Sequence, residues 1–243
     1  MKTTVLGVIP ARWGSTRLPG KMMVDIAGKP LILHTLLNAS HSSTISRLMV
    51  ATDDERIAGA VRDAGFETVM TDPNLPSGSD RVWAVAKDQN EKIIVNIQGD
   101  EPLLPVAVID RTVALLTSSP QFDVTTAACP LPLERHADPG AVKVVTALDG
   151  RALYFSRSPI PYGREGKLDP SLVRLHVGLY VFRRDALKAF CSWKPTPLEQ
   201  TEKLEQLRML EHGMNLGVVD VPVAGRGVDT QEDLELVRRA LGG

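Results

Sequence analysis

The chain alternates short apolar runs with longer stretches whose apolar residues recur every three or four positions. Val5 to Ile9 is an apolar run stopped by Pro10, and it predicts a buried parallel strand. From Pro30 onward Leu31, Leu33, His34, Leu36 and Leu37 share one broad face, which predicts a helix with proline in its first turn. The alternation continues with a strand over 48–51, a helix from Asp54 to Ala64 stopped by Gly65, a strand over 66–70 and a helix over 79–87. Ile93-Ile94-Val95-Asn96-Ile97 is the clearest buried strand of all. Strands alternating with helices imply βαβ units and a mostly parallel sheet flanked by helices.

The second half changes character. Segments 124–128, 141–147, 153–156 and 175–182 are strand-like, with few long helices between them before Arg184. Asp149-Gly150 is a hairpin signal between two of them. These segments predict an antiparallel extension of the same sheet over about 124–182, suited to a dimer interface. A helix from about Leu198 to His212, a strand near 217–221 and a final helix over 230–241 close the pattern. The expectation is a single α/β domain over residues 1–243.

Composition narrows the function classes. A hydrophobic share of 43% and a charged share of 23% fit a soluble globular chain. The formal net charge of -1 points to neither nucleic acid nor an anionic membrane as partner. Cys129 and Cys191 form neither a disulfide framework nor a zinc pattern. The first residues lack the features of a signal peptide, and no stretch reaches the roughly 20 apolar residues of a membrane helix. A cytoplasmic location is expected.

The chemistry gathers where strands end. The segment from Pro10 to Lys21 follows the first strand, at the carboxyl edge where open α/β sheets bind ligands. Arg12, Arg17 and Lys21 place three cations in ten residues, while Gly14 and Gly20 let backbone amides approach an anion. Together they suit a phosphate-rich ligand, against the alternative of a solvated basic loop. A dinucleotide glycine fingerprint is absent, and the glycine spacing does not match a Walker A loop. Asp100 emerges where the strand over 93–97 ends, and there a carboxylate is placed to hold Mg²⁺ beside phosphates or simply to cap a helix. Gly99 before it permits close backbone approach. Asp229 and Thr230 are both candidate caps for the last helix, with Asp233 in its acidic first turn.

Ile9-Pro10-Ala11-Arg12 followed by Gly14-Ser15-Thr16-Arg17-Leu18-Pro19-Gly20-Lys21 resembles the N-terminal signature of the 3-deoxy-manno-octulosonate (Kdo) cytidylyltransferases, also called CMP-Kdo synthetases. Trp13 stands where that family usually has a smaller aromatic residue, and Met22-Met23 replaces a more common proline-containing pair. The resemblance extends over roughly Val5 to Leu236 and implies a Rossmann-like nucleotidyltransferase, forming a homodimer. It implies CMP transfer from CTP to Kdo with Mg²⁺ as cofactor, in the service of lipopolysaccharide synthesis.

Residue by residue, the resemblance assigns Asp100 and Asp229 to the metal. Arg12, Lys21 and Asp100 become the catalytic set. Ala11, Arg12, Lys21, Thr52, Asp53, Ser77, Gly78, Arg81 and Gly99 fall to CTP. Gln98, Arg157, His176, Tyr180, Glu205 and Gln206 fall to Kdo. Each has a plainer role open to it: Ser77-Gly78-Ser79-Asp80 is an ordinary turn and N-cap, Asp53 a cap for the helix starting at Asp54, His176 a satisfied sheet histidine, and Glu205 with Arg208 a helical ion pair. Other acidic sugars, such as an 8-amino Kdo analogue or a sialic acid, and a catalytically silent nucleotide-binding regulator remain open on the residues alone.

Overall fold

The computed structural model describes residues 4–14 and 18–242. In chain order its elements are β1 (Val5–Ala11), β2 (Asp25–Ile26), β3 (Lys29–Pro30), α1 (Leu31–Ala39), β4 (Arg47–Thr52), α2 (Glu55–Asp63), β5 (Glu67–Met70), α3 (Gly78–Ala86), β6 (Ile93–Asn96) and α4 (Val106–Ser118). There follow β7 (Val124–Pro130), β8 (Lys143–Thr146), β9 (Ala152–Ser156), β10 (Arg174–Arg183), α5 (Arg184–Ser192), α6 (Pro197–Glu202), α7 (Gln206–Glu211), β11 (Leu216–Asp220) and α8 (Gln231–Gly242). The chain divides into two compact units, residues 1–110 with 225–243 and residues 111–224.

The first unit is built on a parallel sheet in the order β6-β1-β4-β5. Every residue of β1 and β6 is buried, as expected for strands covered on both faces. β5 lies at the edge and is mostly exposed. The helices turn apolar faces inward: Ile57, Ala58 and Val61 from α2, and Val82, Val85 and Ala86 from α3. Leu234 and Val237 of α8 pack with Ile26, Leu31 and Val228, which docks the last helix on this unit. Pro10 does not stop the first strand, contrary to the sequence reading. Pairing of β1 with β6 ends at Val8, so from there the strand continues beside β4 alone as far as Ala11. A proline is tolerated where a strand has lost one of its neighbours.

In the second unit β7, β10, β8 and β9 pair antiparallel, and β11 adds parallel to β7. The β8–β9 hairpin turns at Asp149-Gly150, with Gly150 at φ 82. The architecture is α/β, with parallel strands in the first unit and antiparallel strands concentrated in the second.

Two helices escaped the sequence reading. α4 buries Val108, Ile109, Thr112, Val113 and Leu116, a helical spacing. It is rich in β-branched residues, which weaken the helical signal. α5 is short, with Ala186, Leu187 and Phe190 inside. The helix expected over 198–212 is two helices instead. Lys203 adopts a left-handed conformation at φ 55 and ends α6.

Across that break Arg208 forms a fork with Glu199, Nε to Oε2 at 2.7 Å and Nη2 to Oε1 at 2.5 Å. Both side chains are under a tenth exposed, at 7% and 9%, and the guanidinium also lies over the Phe190 ring. Removing one partner strands the other as a buried charge. Arg208→Met should therefore cost about 3–5 kcal/mol in urea unfolding, and adding Glu199→Leu should recover part of the loss. An unchanged midpoint in the single variant would show that the pair contributes nothing.

Candidate functional site

In the first unit the chain leaves β1 at Ala11, which is buried, and passes through exposed Arg12 to Trp13. It returns through Gly20 to a single turn of 3₁₀ helix at Lys21–Met23. Lys21 is only 8% exposed. Its ammonium donates to Asp100 Oδ2 at 2.5 Å and to Asp229 Oδ1 at 3.2 Å. Three segments far apart in sequence thus place charged groups at one point. Arg17 lies outside the described residues.

Each carboxylate is delivered by its backbone. Gly99 follows β6, and a Cβ there would lie 3.0 Å from the Pro10 carbonyl oxygen, so any side chain would crowd this close approach. Thr35 Oγ1 donates to the Gly99 carbonyl at 2.9 Å. Val228 N–H donates to the Asp100 carbonyl at 2.8 Å, which ties the segment before α8 to the one after β6. Thr230, not Asp229, caps α8. Asp233 N–H donates to Thr230 Oγ1 at 3.2 Å, and Thr230 N–H donates to Asp233 Oδ2 at 3.0 Å. Asp229 supplies its N–H to the same Asp233 oxygen, at 3.2 Å, while its carboxylate reaches Lys21.

Two carboxylates converging on one ammonium make a cation-binding arrangement. Among the described residues no group of three or more side-chain ligands is set to hold a metal. A divalent cation here would complete its shell from a ligand's oxygens and water, which suits Mg²⁺ beside phosphates. The donor set therefore fits that ion. Glu101 adds a third carboxyl. Burial first, then the charges of Asp100 and Asp229, push its pKa up to about 7.

Beside this cluster the residues expected for the nucleotide form a brace. Asp53 accepts the Trp13 N–H at 2.9 Å on Oδ1 and the Arg81 guanidinium at 3.0 Å on Oδ2. Asp54 is the cap of α2, accepting from Arg56 N–H. Arg81, 3% exposed, also donates to the Thr71 hydroxyl. Thr52 is fully buried, its carbonyl accepting from Thr71 N–H at 2.8 Å. Ser77 caps α3, its hydroxyl donating to Asp80 Oδ2 at 2.7 Å, and Gly78 opens that helix. Gln98 also stands in this unit, its carbonyl accepting from Glu101 N–H at 3.2 Å.

The remaining predicted residues belong to the second unit. His176 and Tyr180 stand on β10, with ring centroids 5.5 Å apart. Phe155 meets His176 edge-on at 5.0 Å. His176 Nε2 lies 3.0 Å from Thr126 Oγ1, whose hydroxyl lies 2.7 Å from the Leu179 carbonyl. With the hydroxyl donating to that carbonyl, the imidazole is a neutral Nε2–H donor. Desolvation holds the His176 pKa down at about 3. Burial, then the charge of Glu205, raises the Tyr180 hydroxyl well above its ordinary value. Glu205 is exposed, and Gln206 at the start of α7 is buried. Arg157 directs its guanidinium to backbone carbonyls, at 2.7 Å to Glu202 and 2.9 Å to Pro139.

Two residues carry no role in the sequence reading, and a third is underrated there. Glu101 follows Asp100 directly, and its neighbour was the only signal. Lys143 is fully buried, its ammonium donating to the carbonyls of Asp138 at 2.9 Å and Arg157 at 2.5 Å. Trp13 counted only as a departure in the basic loop, although its aromatic surface beside three cations was itself a signal.

Comparison with known proteins gives the chain its family. A family model described as cytidylyltransferase matches residues 6–216. The 3-deoxy-manno-octulosonate cytidylyltransferase of Chlorobaculum parvum is 48% identical over 239 residues, 97% of this chain and 96% of the relative. That of Bdellovibrio bacteriovorus is 44% identical, covering 98% of this chain and 97% of the relative. A solved structure of a CMP:2-keto-3-deoxy-manno-octonic acid synthetase complexed with CTP superposes with TM-score 0.95 at 38% identity, covering 99% of each chain.

The partly buried imidazole makes a measurable prediction. Below the ordinary histidine pKa of 6.5 the unfolded chain takes up a proton that folded His176, at about 3, refuses. Its contribution to stability is therefore full above pH 6.5 and is lost as pH falls toward 3. His176→Gln should flatten the acid limb of a stability–pH curve by about 1.4 kcal/mol per pH unit between pH 6 and 4. Parallel curves for the two proteins would show that His176 titrates normally.

Proposed function

The chain belongs to the 3-deoxy-manno-octulosonate cytidylyltransferase family, and from that membership we propose that it transfers CMP from CTP to Kdo, releasing diphosphate. The observation that carries this reading is the meeting of Lys21, Asp100 and Asp229 at the foot of a basic loop. The anomeric oxygen of Kdo bonds to the α-phosphorus. The bond from that phosphorus to the bridging oxygen of the β-phosphate breaks, diphosphate leaves with the electron pair, and the hydroxyl proton passes to solvent. No side-chain nucleophile is required, because positioning and charge neutralisation supply the catalysis.

Arg12 and Lys21 bring positive charge to the β- and γ-phosphates. Asp100 and Asp229 would hold Mg²⁺, which when bound neutralises phosphate charge and makes the attacking hydroxyl more acidic. Ala11, Gly99, Thr52, Asp53, Ser77, Gly78 and Arg81 are proposed for the nucleotide. Gln98, Arg157, His176, Tyr180, Glu205 and Gln206 are proposed for the acidic sugar. The product is suited to lipopolysaccharide assembly, and the reading carries a cytoplasmic location with it. Among the described residues no helix is long and apolar enough to cross a membrane.

We further propose a homodimer. Leu148, Leu153, Tyr162 and Leu172, all in the second unit, are between half and fully exposed, and a second copy of the chain would cover such apolar surface. Sedimentation should give twice the 26.4 kDa chain mass, and a monomer at micromolar concentration would refute the assembly.

Diphosphate release from CTP and Kdo tests the activity, with other nucleotides, 8-amino Kdo and sialic acid as competitors. Lys21→Ala should lower turnover by about a hundredfold or more with the fold intact. Asp100→Asn should weaken the Mg²⁺ dependence. Near-normal turnover in the first, or an unchanged metal titration in the second, would remove that residue from the site.

A further inference from the structure

Trp13 follows Arg12 at the start of the basic loop, and its neighbours come from both ends of that loop. The guanidinium carbon of Arg56 lies 3.2 Å from the centre of the Trp13 ring. Arg56 is itself fixed by Asp54, Nε to Oδ1 at 2.8 Å and Nη2 to Oδ2 at 2.6 Å. Gly20, the residue before Lys21, sits against the far edge of the indole. A Cβ built there would lie 3.2 Å from Trp13 Cη2 and 3.3 Å from Cζ2. Gly20 also has φ 66, in the left-handed region that favours glycine.

The backbone of Trp13 is held as firmly as its ring. Its N–H donates to Asp53 Oδ1 at 2.9 Å, and the other oxygen of Asp53 accepts from Arg81 at 3.0 Å. That ion pair is buried, with side chains 9% and 3% exposed. The indole therefore runs from an anchored position after β1, beneath the first turn of α2, to the residue that precedes Lys21. Lys21 is the group that reaches both carboxylates.

We propose that Trp13 is a positioning residue for CTP: its indole spans the two ends of the basic loop and sets where Lys21 stands for the phosphates. The proposal rests on the reading above that this loop receives the triphosphate. The atoms that a Cβ on Gly20 would meet are Cζ2, Cη2 and Cζ3 of the indole's six-membered ring, which lies farther from the backbone than a phenyl ring reaches. Phenylalanine keeps an aromatic face for Arg56 but loses the reach to Gly20. The effect of substitution is accordingly graded, and it falls on the nucleotide, not on the sugar.

The test is steady-state kinetics of the full chain, varying CTP at saturating Kdo and Kdo at saturating CTP. Trp13→Ala should raise the KM for CTP about tenfold and leave the KM for Kdo within about twofold. Trp13→Phe should fall between Trp13→Ala and the wild type. Adding Arg56→Gln to Trp13→Ala should cost less than Arg56→Gln alone, because both act through the same ring. An unchanged KM for CTP in Trp13→Ala overturns the proposal, as do equal losses toward both substrates or a loss that merely tracks a lowered melting temperature.

Direct CTP titration by calorimetry separates this inference from the assigned activity. If the wild type binds CTP but turns over no acidic sugar, the activity falls. A Kd about tenfold weaker in Trp13→Ala still supports the positioning role, and an equal Kd overturns it. A wild-type chain that binds no CTP overturns both.

Discussion

The parallel pairing of β1 with β4 on one side and β6 on the other governs everything built on the first unit. Parallel strands in register end at one edge, so the segments leaving them must share that edge. The basic loop leaves β1, Asp53 follows β4, and Gln98 to Glu101 follow β6. No local preference of these segments would bring them together. The burial of every residue of β1 and β6 does so, because strands covered on both faces must sit at the centre of the sheet.

That edge concentrates negative charge, and the fold answers with compensation. Asp100 and Asp229 share the Lys21 ammonium, while Glu101 meets the same field by holding its proton to about pH 7. Lys21 is mostly buried, and a buried ammonium is tolerable only when its donors are satisfied. The cation and the two carboxylates therefore stabilise one another. Asp53 and Arg81 form a different kind of pair, buried and engaged with the backbone of Trp13, and they brace the loop.

Much of this was legible in the residues. Val5 to Ile9, Ile93 to Ile97 and the helices between them carry strong periodic signals, and the structure returns them with boundaries shifted by a residue or two. The placement of basic loop and Asp100 at strand ends was legible for the same reason. The competition between Asp229 and Thr230 for the last cap was not, because both residue types accept from a helix start. Only the geometry assigns the cap to Thr230. α4 was hidden by its β-branched residues, and the break at Lys203 by a helical pattern that runs straight through a left-handed residue. Glu199, which the Arg208 guanidinium engages, lies nine positions away across that break. Such long-range choices carry no local signature.

The separation of 208 residues between Lys21 and Asp229 has a consequence for the making of the protein. The parallel pairings of β1 with β4 and β6, and of β4 with β5, can form while the remainder is still being synthesised, since all four strands lie within residues 5–96. The charged cluster cannot. It waits for residues beyond 229 to leave the ribosome and for Leu234 and Val237 to seat α8 on Ile26 and Leu31. A nascent or prematurely terminated chain thus lacks the second carboxylate on the Lys21 ammonium, and the charged cluster closes only when the last helix docks.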